Sequence, residues 1–198
     1  MPKYWPVILA AFVAGVAVIT GFKSAPEGIQ AWTFAARYTA RVGFPFLMVA
    51  FTASSIVKLW PNPTTKSLMR RRKWWGLGFA TSHTFHLFAL INVLRLSPEP
   101  PAPAVLLGGG FVYVVLYAMV LTSWRWAYKA LGKWWGRLHK FGIYLLWSVY
   151  VLAYIGKTVT QPGERIITLT LLVIAFGGLG LRIAASKQEE PRPVKLRP

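Results

Sequence analysis

Six stretches of the chain are almost entirely apolar, and short polar or basic segments separate them. Each is long enough, or nearly so, to cross the ~30 Å hydrocarbon core of a bilayer as a helix that rises ~1.5 Å per residue. The pattern predicts an all-α integral membrane bundle of six transmembrane helices. The apolar stretches are residues 5–22, 42–59, 75–94, 105–122, 138–155 and 166–183.

The segments between these stretches predict one domain. The first stretch is read as a retained anchor, because its apolar core is longer than that of a usual signal peptide and further spans follow. Residues 97–103 are rich in proline and predict a short loop, since proline cannot continue a helix. We therefore expect a transmembrane domain over residues 1–186 and a disordered cytoplasmic tail over residues 187–198.

Composition supports the membrane assignment and excludes several kinds of site. Of the 198 residues, 55% are hydrophobic and 14% are charged, whereas a soluble domain carries about a quarter of its residues as charge. The chain has no cysteine, which excludes disulfides, thiolate metal sites and covalently attached c-type haem. It also has no aspartate, which excludes a Ser-His-Asp triad.

The basic residues predict the orientation in the membrane. In a six-span arrangement, 17 of the 23 Lys and Arg residues fall on one side. They occupy the connections after the second and fourth spans, the C-terminal segment and Lys3. The positive-inside rule then places both termini in the cytoplasm, as expected for a bacterial inner membrane protein. These charges predict contact with anionic membrane lipids, and they do not indicate a nucleic-acid site.

All three histidines fall within the predicted spans, and we expect them to be the only ionisable side chains there. His83 and His86 are three residues apart, so they lie on one helix face. His139 comes near the start of the fifth span. A neutral imidazole without a carboxylate partner is suited to ligating a metal, most often haem iron in such a bundle. The alternative is that each ring hydrogen-bonds a backbone carbonyl or a nearby hydroxyl.

Two motifs resemble a known family. Arg72-Lys73, then Gly76-Leu77 and then His86 resemble the basic pair, Leu-Gly-Leu and histidine of ferric-reductase-like transmembrane proteins. The residues Thr122-Ser123, Leu131-Gly132, Trp135 and Leu138-His139 are similar to a stretch in the haem-binding membrane subunit of bacterial periplasmic methionine-sulfoxide reductase. The resemblance covers about residues 70–156. It implies six spans, a b-type haem, and His86 and His139 as candidate iron ligands, with His83 beside them.

The chain departs from the family pattern at one position. The family carries a further histidine 13 residues after the Leu-His pair, and here that position is Leu152, between Tyr150 and Tyr154. His86 and His139 differ in predicted depth by more than ~10 Å, so one haem can hardly take both. Three options remain open: haem held through one histidine, haem with a tyrosine as second ligand, or a homologue without haem.

Other features of the sequence carry less information about function. Six tryptophans near the basic connections are expected as an aromatic belt, although a quinone pocket there stays open. The consecutive residues Gly108, Gly109 and Gly110 predict either a close helix approach or room for a flat macrocycle. No motif supports a flavin or a nicotinamide domain. The tryptophans are Trp74, Trp75, Trp124, Trp126, Trp134 and Trp135.

Together these features predict a b-type haem-binding membrane protein that transfers electrons across the inner membrane. Because the chain carries no soluble redox domain of its own, the electrons would come from quinol or a separate cytoplasmic reductase. They would leave for a periplasmic redox partner. The rival interpretation is a non-redox scaffold or assembly protein that kept the helices and lost the haem. The absence of acids within the predicted spans disfavours a proton-coupled transporter.

Overall fold

The computed structural model describes residues 2–25 and 28–188 and confirms the all-α fold. Six of the eight helices in these residues are long and apolar enough to cross a membrane, which makes the chain a multi-pass membrane protein. The predicted tail lies almost wholly outside the described residues. The helices are α1 (Trp5–Lys23), α2 (Ile29–Leu59), α3 (Pro63–Arg70), α4 (Arg72–Leu96), α5 (Pro103–Leu121), α6 (Arg125–Leu131), α7 (Lys133–Thr160) and α8 (Arg165–Lys187).

The two short helices lie in segments that the hydropathy pattern marks only as connections. α3 begins with a capping box, in which the Asn62 side chain accepts a hydrogen bond from the Thr65 backbone and the Thr65 side chain accepts one from the Asn62 backbone. Pro63 follows the cap at a first-turn position where its missing N–H costs nothing. α6 ends at Gly132, whose positive φ of 50° suits glycine.

Small residues allow α1 and α2 to approach closely. Ala10, Ala14 and Ala17 are buried along one face of α1, and Gly21 continues the same face. A Cβ on Gly21 would lie 2.5 Å from the backbone nitrogen of Ala35 on α2, so only glycine fits there. Close packing of this kind, rather than water exclusion, holds helices together in lipid.

α2 is the central helix of the bundle and is longer than the sequence predicts. It packs against α1, α4, α7 and α8, and it buries Phe44, Leu47 and Phe51 completely. The helix begins at Ile29 rather than at residue 42, so Arg37 and Arg41 belong to the helix and not to a loop. The end of the bundle that carries α3 and α6 is called the basic end below, and the opposite end is called the loop end.

α5 packs more loosely than its neighbours. Most of its residues are exposed, and it approaches α7 closely at Gly142, where an added Cβ would collide with the Met119 side chain. The three consecutive glycines do not mark a close helix approach: a Cβ on Gly108, Gly109 or Gly110 would meet no atom within 4 Å. The reading of the glycine run as a helix contact is therefore wrong.

Candidate functional site

His83 lies in the filled core between α2, α4 and α7. The Tyr150 hydroxyl donates a hydrogen bond to the Ala40 carbonyl at 2.7 Å, and the His83 Nε2–H donates to the Tyr150 oxygen at 3.2 Å. Phe79 packs on the ring at a centroid distance of 4.1 Å. On the remaining side, a Cβ on Gly43 would lie 2.9 Å from Nδ1. Protein atoms therefore surround both ring nitrogens, and the buried Nδ1 has no hydrogen-bond partner among the described residues.

His86 lies one turn further along the same face of α4, as its spacing predicts. The His83 and His86 ring centroids are 5.4 Å apart. The Nδ1 atom of His86 lies 2.8 Å from the Ala36 carbonyl of α2. Because a carbonyl oxygen only accepts, Nδ1 carries the proton and Nε2 keeps its lone pair. This is the arrangement in which metal-ligating histidines are commonly held.

His139 shows the same arrangement at the basic end of α7. Its Nδ1–H donates to the Trp135 carbonyl at 3.1 Å, and its ring stacks on the Trp135 indole at a centroid distance of 4.2 Å. The Trp135 indole is fixed in turn, because its Nε1–H donates to the Thr122 carbonyl at 2.8 Å. The Nε2 atom of His139 is buried and has no hydrogen-bond partner among the described residues. A buried nitrogen with a free lone pair calls for an explanation.

A cavity of about 510 Å³ lies beside His139, although the Nε2 atom itself is not exposed to it. Its volume lies within the ~300–1,000 Å³ range of small-molecule sites. Aliphatic and aromatic side chains form most of its wall, and Trp135 and His139 form the side contributed by the start of α7. The wall includes Leu47, Ala50, Arg72, Lys73, Gly76, Phe79, Leu116, Met119, Gly136, Lys140, Ile143, Leu146 and Arg182.

The structure separates the histidines along the bundle. Tyr150 bonds His83 and so lies level with it, and His139 lies eleven residues before Tyr150 on α7, or about 16 Å nearer the basic end. Neither His83 nor His86 lines the cavity. Leu152, the position where the family pattern has a histidine, is 68% exposed and faces away from the bundle. Tyr150, Val151 and Tyr154 are the buried residues of that turn.

The expectation that only histidines are ionisable within the spans is wrong. Arg37 and Arg41 lie inside α2, Arg72 begins α4, and Arg182 lies in the last third of α8. Arg182 lies within the predicted apolar stretch 166–183 itself. These arginines lie inside apolar helices because each has partners: carboxylate for the first two, and backbone or hydroxyl oxygens for the others.

Trp135 differs from the other tryptophans of the predicted aromatic belt. Trp124, Trp126 and Trp134 are exposed at the basic end, as a membrane-interface belt requires. Trp135 is instead hydrogen-bonded and stacked on His139, and it lines the cavity. The one signal available was its position four residues before His139, which places both on one helix face.

Comparisons with known proteins agree with the resemblance drawn from the two sequence motifs. Proteins named protein-methionine-sulfoxide reductase heme-binding subunit MsrQ match the chain. The relative from Enterobacter sp. (strain 638) is 30% identical over 131 residues, which cover 59% of this chain and 64% of the relative. The relative from Pasteurella multocida (strain Pm70) is 25% identical over 141 residues, which cover 69% of this chain and 68% of the relative.

The alignments thus span about two thirds of the length of these relatives. The chain is a distant homologue of them, which confirms the resemblance drawn from the two motifs. No family model matches the chain. No solved structure matches it either.

Proposed function

We propose that this homologue of haem-binding subunits is itself a b-type haem protein that carries electrons across the bacterial inner membrane. The observation that carries the proposal is the buried, unpartnered Nε2 of His139 beside a cavity of about 510 Å³. The printed names of the relatives support it independently. When bound, haem b supplies an iron that accepts and releases one electron.

The residues around the cavity fit such a group. The wall is largely apolar, which suits a macrocycle, and His139 offers a neutral nitrogen whose tautomer is fixed by the Trp135 carbonyl. Gly76 and Gly136 add no side chain to the wall. We assign His139 as the iron ligand of this site. If haem binds here, Leu152 could not supply a second ligand, because it faces outward.

His86 is assigned to a second position nearer the loop end. Its Nδ1–H is held by the Ala36 carbonyl, which leaves Nε2 available to a metal. His86 and His139 lie more than about 15 Å apart along the bundle, so one iron could not bind both. Two positions at different depths would let electrons pass in steps between the two sides of the membrane. His83, which is surrounded by protein atoms, is assigned a packing role.

The direction of transfer follows from charge. The basic end carries α3, α6 and most of the Lys and Arg residues, which places it in the cytoplasm under the positive-inside rule. Quinol or a separate reductase then donates electrons at this end. The acceptor is a periplasmic protein, and the relatives' names point to a methionine-sulfoxide reductase.

The test is the absorption spectrum of the full-length protein, expressed with ample haem and purified in detergent. We expect a Soret band that sharpens and shifts on reduction with dithionite. His139→Ala should lose most of the haem of the cavity site, and added imidazole should restore it because the truncated side chain leaves room for the free base. A folded, monodisperse protein that stays colourless after haem addition would contradict the proposal and favour the scaffold interpretation.

A further inference from the structure

Two arginines from different helices meet at the wall of the cavity. The Arg72 Nε–H of α4 donates to the Ala50 carbonyl at 2.8 Å, and an Arg182 Nη1–H of α8 donates to the Phe51 carbonyl at 2.6 Å. These carbonyls belong to consecutive residues of α2, so the two guanidinium groups lie close together. Both side chains are half-buried, and both line the cavity.

The surroundings hold these guanidinium groups in fixed positions. Arg182 also donates from Nε to the Tyr144 hydroxyl at 3.0 Å. Its guanidinium carbon lies 4.6 Å from the centroid of the Phe51 ring and 4.8 Å from that of Tyr144. Aromatic faces favour a cation but do not neutralise it. The geometry of Arg182 is therefore fixed before any ligand arrives.

The charge of the pair is not balanced by a carboxylate in the described part of the chain. The acids described there are Glu99 and Glu164, and both lie at the loop end, where Glu164 pairs with Arg37 and Arg41. The cavity wall contains no acid, and Lys73 and Lys140 add further positive charge to it. Burying like charges without a counter-ion is costly. An anion in the cavity would remove that cost.

Unused donors point to the same conclusion. Each guanidinium carries five N–H groups in a planar fork suited to carboxylate or phosphate. Within the described residues, Arg72 uses only its Nε–H, and Arg182 uses its Nε–H and one Nη1–H. The remaining N–H groups of two neighbouring side chains can bind oxyanions at the edge of an apolar cavity.

We infer that Arg72 and Arg182 form an anion subsite that binds the carboxylates of a flat, largely apolar ligand whose body occupies the cavity beside His139. The inference rests on the proposed function, under which those carboxylates are the two propionates of a porphyrin. The same chemistry, an oxyanion on an apolar body, also occurs in a phospholipid. The subsite sets which end of the ligand faces the basic end of the bundle.

Metal-free protoporphyrin IX and its dimethyl ester test the subsite without any iron ligation. The full-length protein without haem, in a zwitterionic detergent, is titrated with each, and quenching of tryptophan fluorescence gives the Kd. We expect the diacid to bind at least about tenfold more tightly than the ester, as hydrogen bonds to charged groups imply. Equal Kd values for the wild-type protein would overturn the inference, whatever the variants do.

Arginine variants then locate the preference for the diacid. Arg72→Gln and Arg182→Gln should each weaken diacid binding about tenfold and leave ester binding unchanged. Arg70→Gln is the matched control, because Arg70 is exposed in the same basic stretch and does not line the cavity. Arg182→Lys keeps the charge and should retain most of the preference if the glutamine variant does not fold. An equal loss in the Arg70 variant would contradict the assignment.

Two further measurements separate this inference from its alternatives. In His139→Ala the preference for the diacid should persist, since a metal-free porphyrin needs no axial ligand. If the protein binds haem but binds the diacid and the ester equally well, the anion subsite is refuted and the proposed function stands. Displacement of the diacid by phosphatidylglycerol, but not by phosphatidylcholine, would reassign the subsite to a lipid phosphate and overturn the carboxylate assignment.

Discussion

His83 and His139 are the same residue type in apolar helices, yet their surroundings differ in the feature that matters for binding. Around His83, Gly43, Phe79 and Tyr150 occupy the space that a ligand would need. Each ring has one buried nitrogen without a hydrogen-bond partner among the described residues, Nδ1 in His83 and Nε2 in His139, but of the two only His139 lines a cavity of about 510 Å³. Of these two histidines, His139 is therefore the stronger candidate ligand, because the neighbouring helices leave room beside it.

Glycine substitutions test this comparison most directly, because they add a side chain beside His83 or at the cavity wall. They should cause the largest change in the free energy of unfolding. In Gly43→Ala the new Cβ would lie 2.8 Å from the His83 ring, which the Tyr150 hydrogen bond holds in place. Overpacking of this kind should lower the free energy of unfolding by about 3 kcal/mol. Thermal unfolding in detergent, followed by circular dichroism, measures the change.

Gly136→Ala is the control for that substitution. Gly136 lines the cavity, and its added Cβ would meet nothing within 4 Å. Alanine is a better helix former by about 1 kcal/mol, so the unfolding temperature should stay the same or rise. Equal losses in the two variants would show that the core around His83 is no more tightly packed than the cavity wall.

Removal of the Tyr150 hydroxyl should have the next largest effect. Tyr150→Phe leaves the His83 Nε2–H without its acceptor and removes the hydrogen bond to the Ala40 carbonyl. The free energy of unfolding should therefore fall by about 2 kcal/mol. Tyr117→Phe is the control, because the exposed hydroxyl of Tyr117 meets only the Thr84 side chain, and its loss should cost less than about 0.5 kcal/mol.

Tyr150→Phe also tests whether Tyr150 is an iron ligand, which is one of the three options that the sequence left open. Tyr150 does not line the cavity, and its hydroxyl is already bonded to Ala40 and His83. The absorption spectrum of bound haem in Tyr150→Phe should therefore match that of the wild type. A changed spectrum in folded protein would identify Tyr150 as an iron ligand and reverse the contrast between His83 and His139.

The sequence predicts the spans well because hydropathy acts locally. The six apolar spans and the shared face of His83 and His86 follow from rules that need only nearby residues, although α5 begins at Pro103, which the sequence places in the loop. The start of α2 does not, because Arg37 and Arg41 read as loop residues until Glu164 pairs with them. That acid lies more than a hundred residues later in the chain, beyond any local pattern.

The candidate site was only partly predictable for the same physical reason. His86 and His139 could be selected as candidate ligands from residue type and motif. The distinction from His83 depends on Gly43, which belongs to another helix. The cavity depends on how α2, α4, α5, α7 and α8 pack, and the pairing of Arg72 with Arg182 depends on two carbonyls of α2.

The smallest expected effect concerns the ion pairs at the loop end. There a carboxylate balances the charge of two arginines, whereas the cavity arginines have no carboxylate partner among the described residues. Arg37 Nη1 donates to Glu164 Oε1 at 2.6 Å, and Arg41 Nη2 donates to Oε2. The three side chains are 17–23% exposed. Partial exposure weakens such pairs, so Glu164→Gln should lower the free energy of unfolding by about 1 kcal/mol or less.

Salt and a matched acid make this last prediction specific. Glu99 is exposed and forms no ion pair among the described residues, so Glu99→Gln should leave the unfolding temperature unchanged. The loss in Glu164→Gln should shrink from ~0.01 M to ~1 M salt, because the screening length falls from ~30 Å to ~3 Å. A loss that does not respond to salt would mean that Glu164 acts by packing. The two arginines of α2 would then, like Arg72 and Arg182, lack an effective counter-ion.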